Sequence, residues 1–167
     1  MRVVIISDVH NNITNLKKVL DYCNNKKIKA IICCGDLASM EALDFLNDNF
    51  SGESYFCFGN MDDGQMRNYD FEAKYKNTWI FRDYGEFKID NYNIALVHYP
   101  EKAKVLCESG KYDFVFYGHT HKPWEETIGN CKMLNPGNVA GELYLPTFAV
   151  WNTESDKFEL IRVHDLK

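Results

Sequence analysis

Five apolar runs in this chain each stop on residues able to ligate a metal, and the first three already constrain the fold. Val3–Ile6 leads into Ser7-Asp8-Val9-His10, Ala30–Cys34 ends at Gly35-Asp36, and Tyr55–Phe58 ends at Gly59-Asn60. Between the first two runs, Ile13, Leu16, Leu20 and Cys23 recur at helical spacing. That spacing predicts an amphipathic helix over 13–25, with Asn12 placed as its N-cap. Met40, Ala42, Leu43, Phe45 and Leu46 mark a second helix. Strand, helix, strand, helix, strand implies right-handed crossovers and a parallel sheet whose carboxyl-end loops open on one edge.

After a mixed stretch near 65–76 the pattern becomes strand-rich. Strands are predicted over 79–81, 86–89 and 94–97, with Asp90-Asn91 as a turn. A short helix near 101–109 precedes a strand over 114–117. Further strands are expected near 124–128, 131–134, 147–151 and 158–163, separated by Pro136-Gly137 and other turn signals. With no repeat and no linker, the expectation is one domain over 1–167 built on two sheets.

Composition excludes some functions. The net charge of −5 leaves no broad basic face, so a long nucleic acid is not the expected partner. No run approaches the ~18 apolar residues of a membrane span, and MRVVIISDVH is too short for a signal peptide. The six cysteines, at 23, 33, 34, 57, 107 and 131, show no CxxC spacing, and Cys33, Cys34, Cys57 and Cys131 fall in predicted strands. This is the usage of buried free thiols in a cytoplasmic protein.

The fourth and fifth apolar runs end the same way: Ile94–Val97 stops at His98, and Phe114–Tyr117 stops at Gly118-His119-Thr120-His121. Four of the five histidines therefore lie at strand ends. His164 alone does not, and reads as an ordinary polar position. Asp8, His10, Asp36, Asn60, His98, His119 and His121 form one cluster, expected at the edge of one sheet.

Two divalent ions ~3.5–4 Å apart can clamp the attacking and leaving oxygens of a phosphoryl displacement. Asp36, central in chain order, is the expected bridge. Imidazole ligands favour manganese, iron, nickel or zinc over magnesium or calcium, and manganese is the first expectation. Two ions, two carboxylates and one hydroxide leave about one positive charge, complementary to a phosphodiester monoanion and able to lower the pKa of bound water.

In Asp8-Val9-His10, Gly35-Asp36, Gly59-Asn60-Met61-Asp62, His98 and Gly118-His119-Thr120-His121, the chain resembles the calcineurin-like metallophosphoesterases, in particular their small bacterial and archaeal phosphodiesterase branch. Asn135-Pro136-Gly137-Asn138 is similar to a later turn of that branch. The resemblance implies a four-layer αββα sandwich of two mixed sheets flanked by helices. It also implies that Asp8, His10, Asp36 and His121 hold one metal, and Asp36, Asn60, His98 and His119 the other. Asp36, Asn60 and His98 are then expected to carry catalysis. The implied reaction is hydrolysis of a small phosphodiester by metal-activated hydroxide attack on phosphorus.

Two positions depart from the family pattern. Met61 stands where many relatives have a histidine that protonates the leaving oxygen, and Tyr99-Pro100 follow His98 where relatives often have Gly and a polar residue. Asn12 reads either as a phosphate contact or as a helix cap, and Asp62 either as an orienter of water or as a loop brace. Tyr99 and Trp124 read as stacking or as packing residues. Two rival functions remain: a protein-interaction scaffold of the same fold, as in a retromer subunit, and a phosphomonoesterase. The sequence leaves homo-oligomerisation open.

Overall fold

A computed structural model describes residues 1–62, 66, 70–71 and 73–166. Part of the mixed stretch near 65–76 therefore lies outside the described residues. The chain begins with β1 (Arg2–Ile6), α1 (Ile13–Asn25), β2 (Ala30–Cys33), α2 (Met40–Asn49) and β3 (Glu53–Cys57). It continues through β4 (Thr78–Phe81), β5 (Tyr84–Ile89), β6 (Tyr92–Val97), α3 (Pro100–Glu108) and β7 (Phe114–Phe116). β8 (Trp124–Ile128), β9 (Cys131–Asn135), β10 (Thr147–Asn152) and β11 (Lys157–Arg162) complete it.

Both sheets are mixed. The first runs β11-β10-β1-β2-β3-β4, with β1 to β4 parallel and β10 antiparallel to β1. The second runs β5-β6-β7-β9-β8, with a parallel centre and antiparallel flanks.

Side-chain alternation assembles the layers. In β1 and β2, Val4, Ile6, Ile31 and Cys33 face a core shared with Leu16, Val19 and Leu20 of α1 and Leu43 and Leu46 of α2. Val3, Ile5, Ala30 and Ile32 point the other way, onto Ile94, Leu96, Phe114, Phe116 and Trp151 between the sheets. Ala95, Val97 and Val115 of the second sheet then meet Ala103 and Cys107 of α3. This is the expected αββα order. Because strands alternate with period two, a one-residue slip would exchange the two cores.

Local chemistry sets the helix starts. The Asn12 side chain accepts the Asn15 N–H at 3.0 Å, and Ser39 accepts that of Ala42 at 3.1 Å. Pro100 opens α3, where a missing N–H costs no bond.

Two expectations are corrected here. The residues of the cluster do not share the edge of one sheet: β1, β2 and β3 belong to the first sheet, β6 and β7 to the second. The cysteines are not all free either, because Cys107 and Cys131 form a disulfide between α3 and the start of β9. The physical reason is topological: β9 inserts beside β7, directly under α3, an adjacency that sequence spacing does not encode. Cys23, Cys33, Cys34 and Cys57 are free and buried, and Cys34 lies one residue beyond β2. Burial pushes the Cys23 thiol up to about 12. No helix among the described residues is long and apolar enough to cross a membrane.

Candidate metal centre

All seven sequence-predicted residues meet where the two sheets share an end. Loop-to-loop backbone bonds hold them there: Asp8 N–H donates to Gly35 C=O at 3.0 Å, and Gly118 N–H to His98 C=O at 3.1 Å. The turns are tight. Asp8, His10, Asp36, His119 and His121 have φ of 51°, 47°, 56°, 68° and 59°. Left-handed backbone costs a non-glycine residue roughly 1–2 kcal/mol, and persists only where the surroundings impose it. Gly59 and Gly118 supply the remaining closeness, since a Cβ at either would collide with Asp36 Oδ1 or with Ser7 Oγ.

Asp36 faces both halves of the cluster with one atom. Its Oδ2 lies 3.6 Å from His10 Nε2 and 3.3 Å from His98 Nε2, while its Oδ1 accepts the Met61 N–H at 2.7 Å. Asp8 is the other shared carboxylate. Its Oδ1 stands 3.3 Å from His121 Nε2 and 3.8 Å from His10 Nε2, and its Oδ2 accepts the His119 N–H at 3.1 Å. Asn60 Oδ1 lies 3.1 Å from His98 Nε2 and 3.0 Å from His119 Nδ1.

The outer nitrogens of three histidines are occupied, which turns Nε2 inward. His98 Nδ1 donates to Cys34 C=O at 2.8 Å, and His121 Nδ1 to Glu142 C=O at 3.3 Å. His10 Nδ1 is 3.3 Å from the Glu142 carboxylate. The rings of His10 and His121 also pack edge to face, with centroids 5.0 Å apart.

The residues fit a cation. In the neutral form that ligates a metal, and with their outer nitrogens donating, His10, His98 and His121 would point lone pairs toward the carboxylates and the Asn60 carbonyl, an arrangement that a cation completes. Asp8 Oδ1 and His10 Nε2 are buried and lack a hydrogen-bond partner. Asp8, His10 and His121 hold ligand atoms within 4.8 Å of one another, as do Asp8, Asp36 and His98. Buried polar atoms without partners are costly, and a shared cation would satisfy them together.

Charge polarisation follows the same geometry. The Asp36 and Asp8 carboxylates push the His10 imidazole up to about 10. Burial pulls His98 down, but Asp36 outweighs it and raises the ring; His121 is raised chiefly by Asp8. Burial would raise Asp36 and Asp8, yet the facing imidazoles hold both carboxyls low.

The remaining residues sort by contact. Asp62 braces the loops: it is fully buried and accepts backbone N–H groups from Asp36, Gly59 and Ala38 at 2.7, 2.8 and 2.8 Å. Asn12 is a cap, and its amide nitrogen is spent on Ala140 C=O at 2.9 Å. The Asn135–Asn138 turn clamps the histidine loop, because Asn135 donates to Gly118 C=O and Thr120 Oγ1, and Asn138 to His121 C=O. Tyr99 packs edge-on against His98 and His119, with centroids 5.1 and 5.0 Å away. The Met61 side chain is half-exposed beside Asn60, while exposed Trp124 stacks under Lys122. His164 sits in the closing 3-10 turn Val163–Asp165, outside the cluster. Glu142 was missed by sequence reasoning, since a lone acidic residue in a loop carries no spacing signal.

Comparison with known proteins bears on the family and the fold. The model of the calcineurin-like phosphoesterase superfamily domain matches residues 1–156. A phosphodiesterase of Methanocaldococcus jannaschii is 26% identical over 164 residues, covering 96% of this chain and 98% of the relative. Among solved structures, an archaeal phosphodiesterase superposes with a TM-score of 0.87 at 26% identity, covering 97% of this chain and 99% of that one. Vps29 from Entamoeba histolytica superposes with a TM-score of 0.70 at 22% identity, covering 97% and 99%, a likeness that shows the fold alone.

Proposed function

This chain belongs to the calcineurin-like phosphoesterase superfamily, and from that premise we propose that it is a metal-dependent hydrolase of small phosphodiesters. The observation that carries the reading is the convergence, from five strand ends, of seven side chains able to ligate a cation, with Asp8 Oδ1 and His10 Nε2 buried and without a hydrogen-bond partner. When bound, two divalent cations would supply Lewis-acid stabilisation of phosphoryl charge and a lowered pKa for water. Asp8, His10, Asp36 and His121 would hold one ion, and Asp36, Asn60, His98 and His119 the other, with manganese the first candidate and nickel, iron or zinc the alternatives.

The protein's own part is preorganisation. Asp36 presents one oxygen to both halves because the Met61 N–H holds the other. Asp62 fixes the backbone of that carboxylate, and Cys34 C=O fixes the ring of His98. Such fixed dipoles need no reorganisation as charge develops on the phosphoryl oxygens.

Diester rather than monoester is favoured by three features. The relatives described above at 26% identity are named as phosphodiesterases. Met61 offers no proton where a leaving alkoxide would need one. Glu142 adds negative charge beside His10, which disfavours a dianion more than a monoanion. A scaffold of this fold could lose ligands without penalty, whereas this chain has a residue able to ligate at all seven positions. The four free, buried thiols support a cytoplasmic setting, and the Cys107–Cys131 disulfide counts against it.

The deciding experiment is a hydrolysis screen of cyclic nucleotides, other diesters and monoesters by chelated protein given Mn, Ni, Zn or Mg. Diester turnover restored by a transition metal is the expected result. No turnover with any metal, despite stoichiometric binding, would return the scaffold reading.

A further inference from the structure

We infer that Glu142 is a positioning residue that locks the two histidines on one side of the centre, His10 and His121, with Nε2 turned inward. The inference rests on the metal-centre reading above and extends it to a residue outside the seven. Glu142 lies in the loop between β9 and β10 and makes two contacts of different kind. Its carboxylate stands 3.3 Å from His10 Nδ1, and its main-chain carbonyl accepts from His121 Nδ1 at 3.3 Å.

The loop is well placed to hold both. Val139 N–H donates to Ser7 C=O and Ala140 N–H to Asp8 C=O, each at 3.0 Å, so the loop is stitched to the segment that carries Asp8 and His10. Asn12 ties Ala140 to the start of α1, and Asn138 Oδ1 accepts the N–H groups of Gly141 and Glu142 at 2.5 and 3.0 Å. The same Asn138 donates to His121 C=O at 3.2 Å, which closes a ring of contacts around both histidines.

As an ion pair alone the contact would be weak, because the Glu142 side chain is 57% exposed and water screens it. Its effect is on orientation. A neutral imidazole has one N–H, and the proton resides on the nitrogen that finds an acceptor. With a cation at Nε2, a carboxylate at Nδ1 accepts the one proton left on the ring and opposes a ring flip. For His121 the acceptor is backbone, beyond the reach of side-chain substitution. For His10 it is the Glu142 carboxylate, so substitution should affect the two histidines differently.

The test uses the full chain, stripped by chelation and titrated with Mn2+ alone by calorimetry, for the wild type, Glu142→Ala and Glu142→Gln. Loss of such an orienting partner typically weakens metal binding ~10–100-fold. Glu142→Ala should fall in that range. Glu142→Gln, whose amide oxygen can accept the same N–H, should recover most of it. Imidazole 15N NMR of the proteins loaded with diamagnetic Zn2+ should show His10 ligating through Nε2 alone in the wild type and through a mixture of ring nitrogens in Glu142→Ala, while His121 keeps Nε2 ligation in both. Should Glu142→Ala fail to fold, Glu142→Asp carries the same comparison. If the wild type binds Mn2+ and Glu142→Ala binds it equally with His10 unchanged, the inference is overturned while the metal centre stands. If the wild type binds no Mn2+, the metal-centre reading falls, and the inference with it.

Discussion

A buried oxygen of Asp62 accepts the backbone N–H of Asp36 at 2.7 Å, so the carboxylate that faces both halves of the centre is itself held by a second carboxylate. The brace extends to Gly59 and Ala38. Burial pushes the Asp62 carboxyl up while these three donors pull it down, and burial prevails. Removing it should therefore damage stability and the site together. Asp62→Ala strands three backbone donors, each worth about 1–3 kcal/mol when buried and unpaired. With partial hydration, a loss of about 2–4 kcal/mol in urea unfolding of the chelated protein is expected. A loss below about 1 kcal/mol would show that water replaces the brace.

Asp36→Asn tests the shared oxygen. The substitution removes a negative charge facing His10 and His98, so both ions should loosen together, by at least the ~10–100-fold seen for outer-shell changes. Elemental analysis of the purified variant should find fewer than two ions per chain. Two retained ions with a near-normal rate would assign the bridge elsewhere.

Proton competition sets the pH dependence. The His10 pKa is raised to about 10 in the metal-free chain, and His98 and His121 are raised as well. A raised imidazole pKa stabilises the protonated fold fully below the ordinary value of ~6.5, and that contribution is lost as pH rises toward ~10. The chelated protein should accordingly melt at lower temperature across that window. Metal affinity should move the opposite way, rising about tenfold per pH unit for each proton displaced. Calorimetry in buffers of different ionisation enthalpy counts those protons, and a flat affinity over the window would contradict the assignment.

Leaving-group dependence should expose Met61. Positioned acid catalysis is typically worth ~10²–10⁴-fold and matters most for strongly basic leaving oxygens. The protein should prefer aryl or activated diesters, and Met61→His should raise rates on alkyl diesters more than on aryl ones. Plots of log rate against leaving-group pKa decide this. A flat plot for the unsubstituted protein, with chemistry rate-limiting, would mean that another group donates the proton.

The Cys107–Cys131 link closes a segment with a sequence separation of 24. Reduction should cost up to about 3.5 kcal/mol of unfolding free energy on the chain-entropy account. Thiol titration of the denatured, unreduced protein should find four free cysteines, and six would contradict the pairing.

The order of the candidate ligands along the chain, the α1 boundaries and the Asn12 cap were legible in the sequence. Each depends on neighbours within a turn or a strand: an apolar run, a helical spacing, a capping amide. The burial alternation of β1 and β2 was hidden, because both faces of those strands are covered and the runs read as uniformly apolar. What only the tertiary structure decided are relations between distant segments. The second sheet brings His98, His119 and His121 to the end of the first, Asp62 reaches back to Asp36, Cys107 meets Cys131, and Glu142 touches His10. A lone carboxylate or thiol carries no periodicity, so its role emerges only when packing supplies a partner; residue type and local spacing determine which chemistry is available, and the packing of two sheets determines which atoms share it.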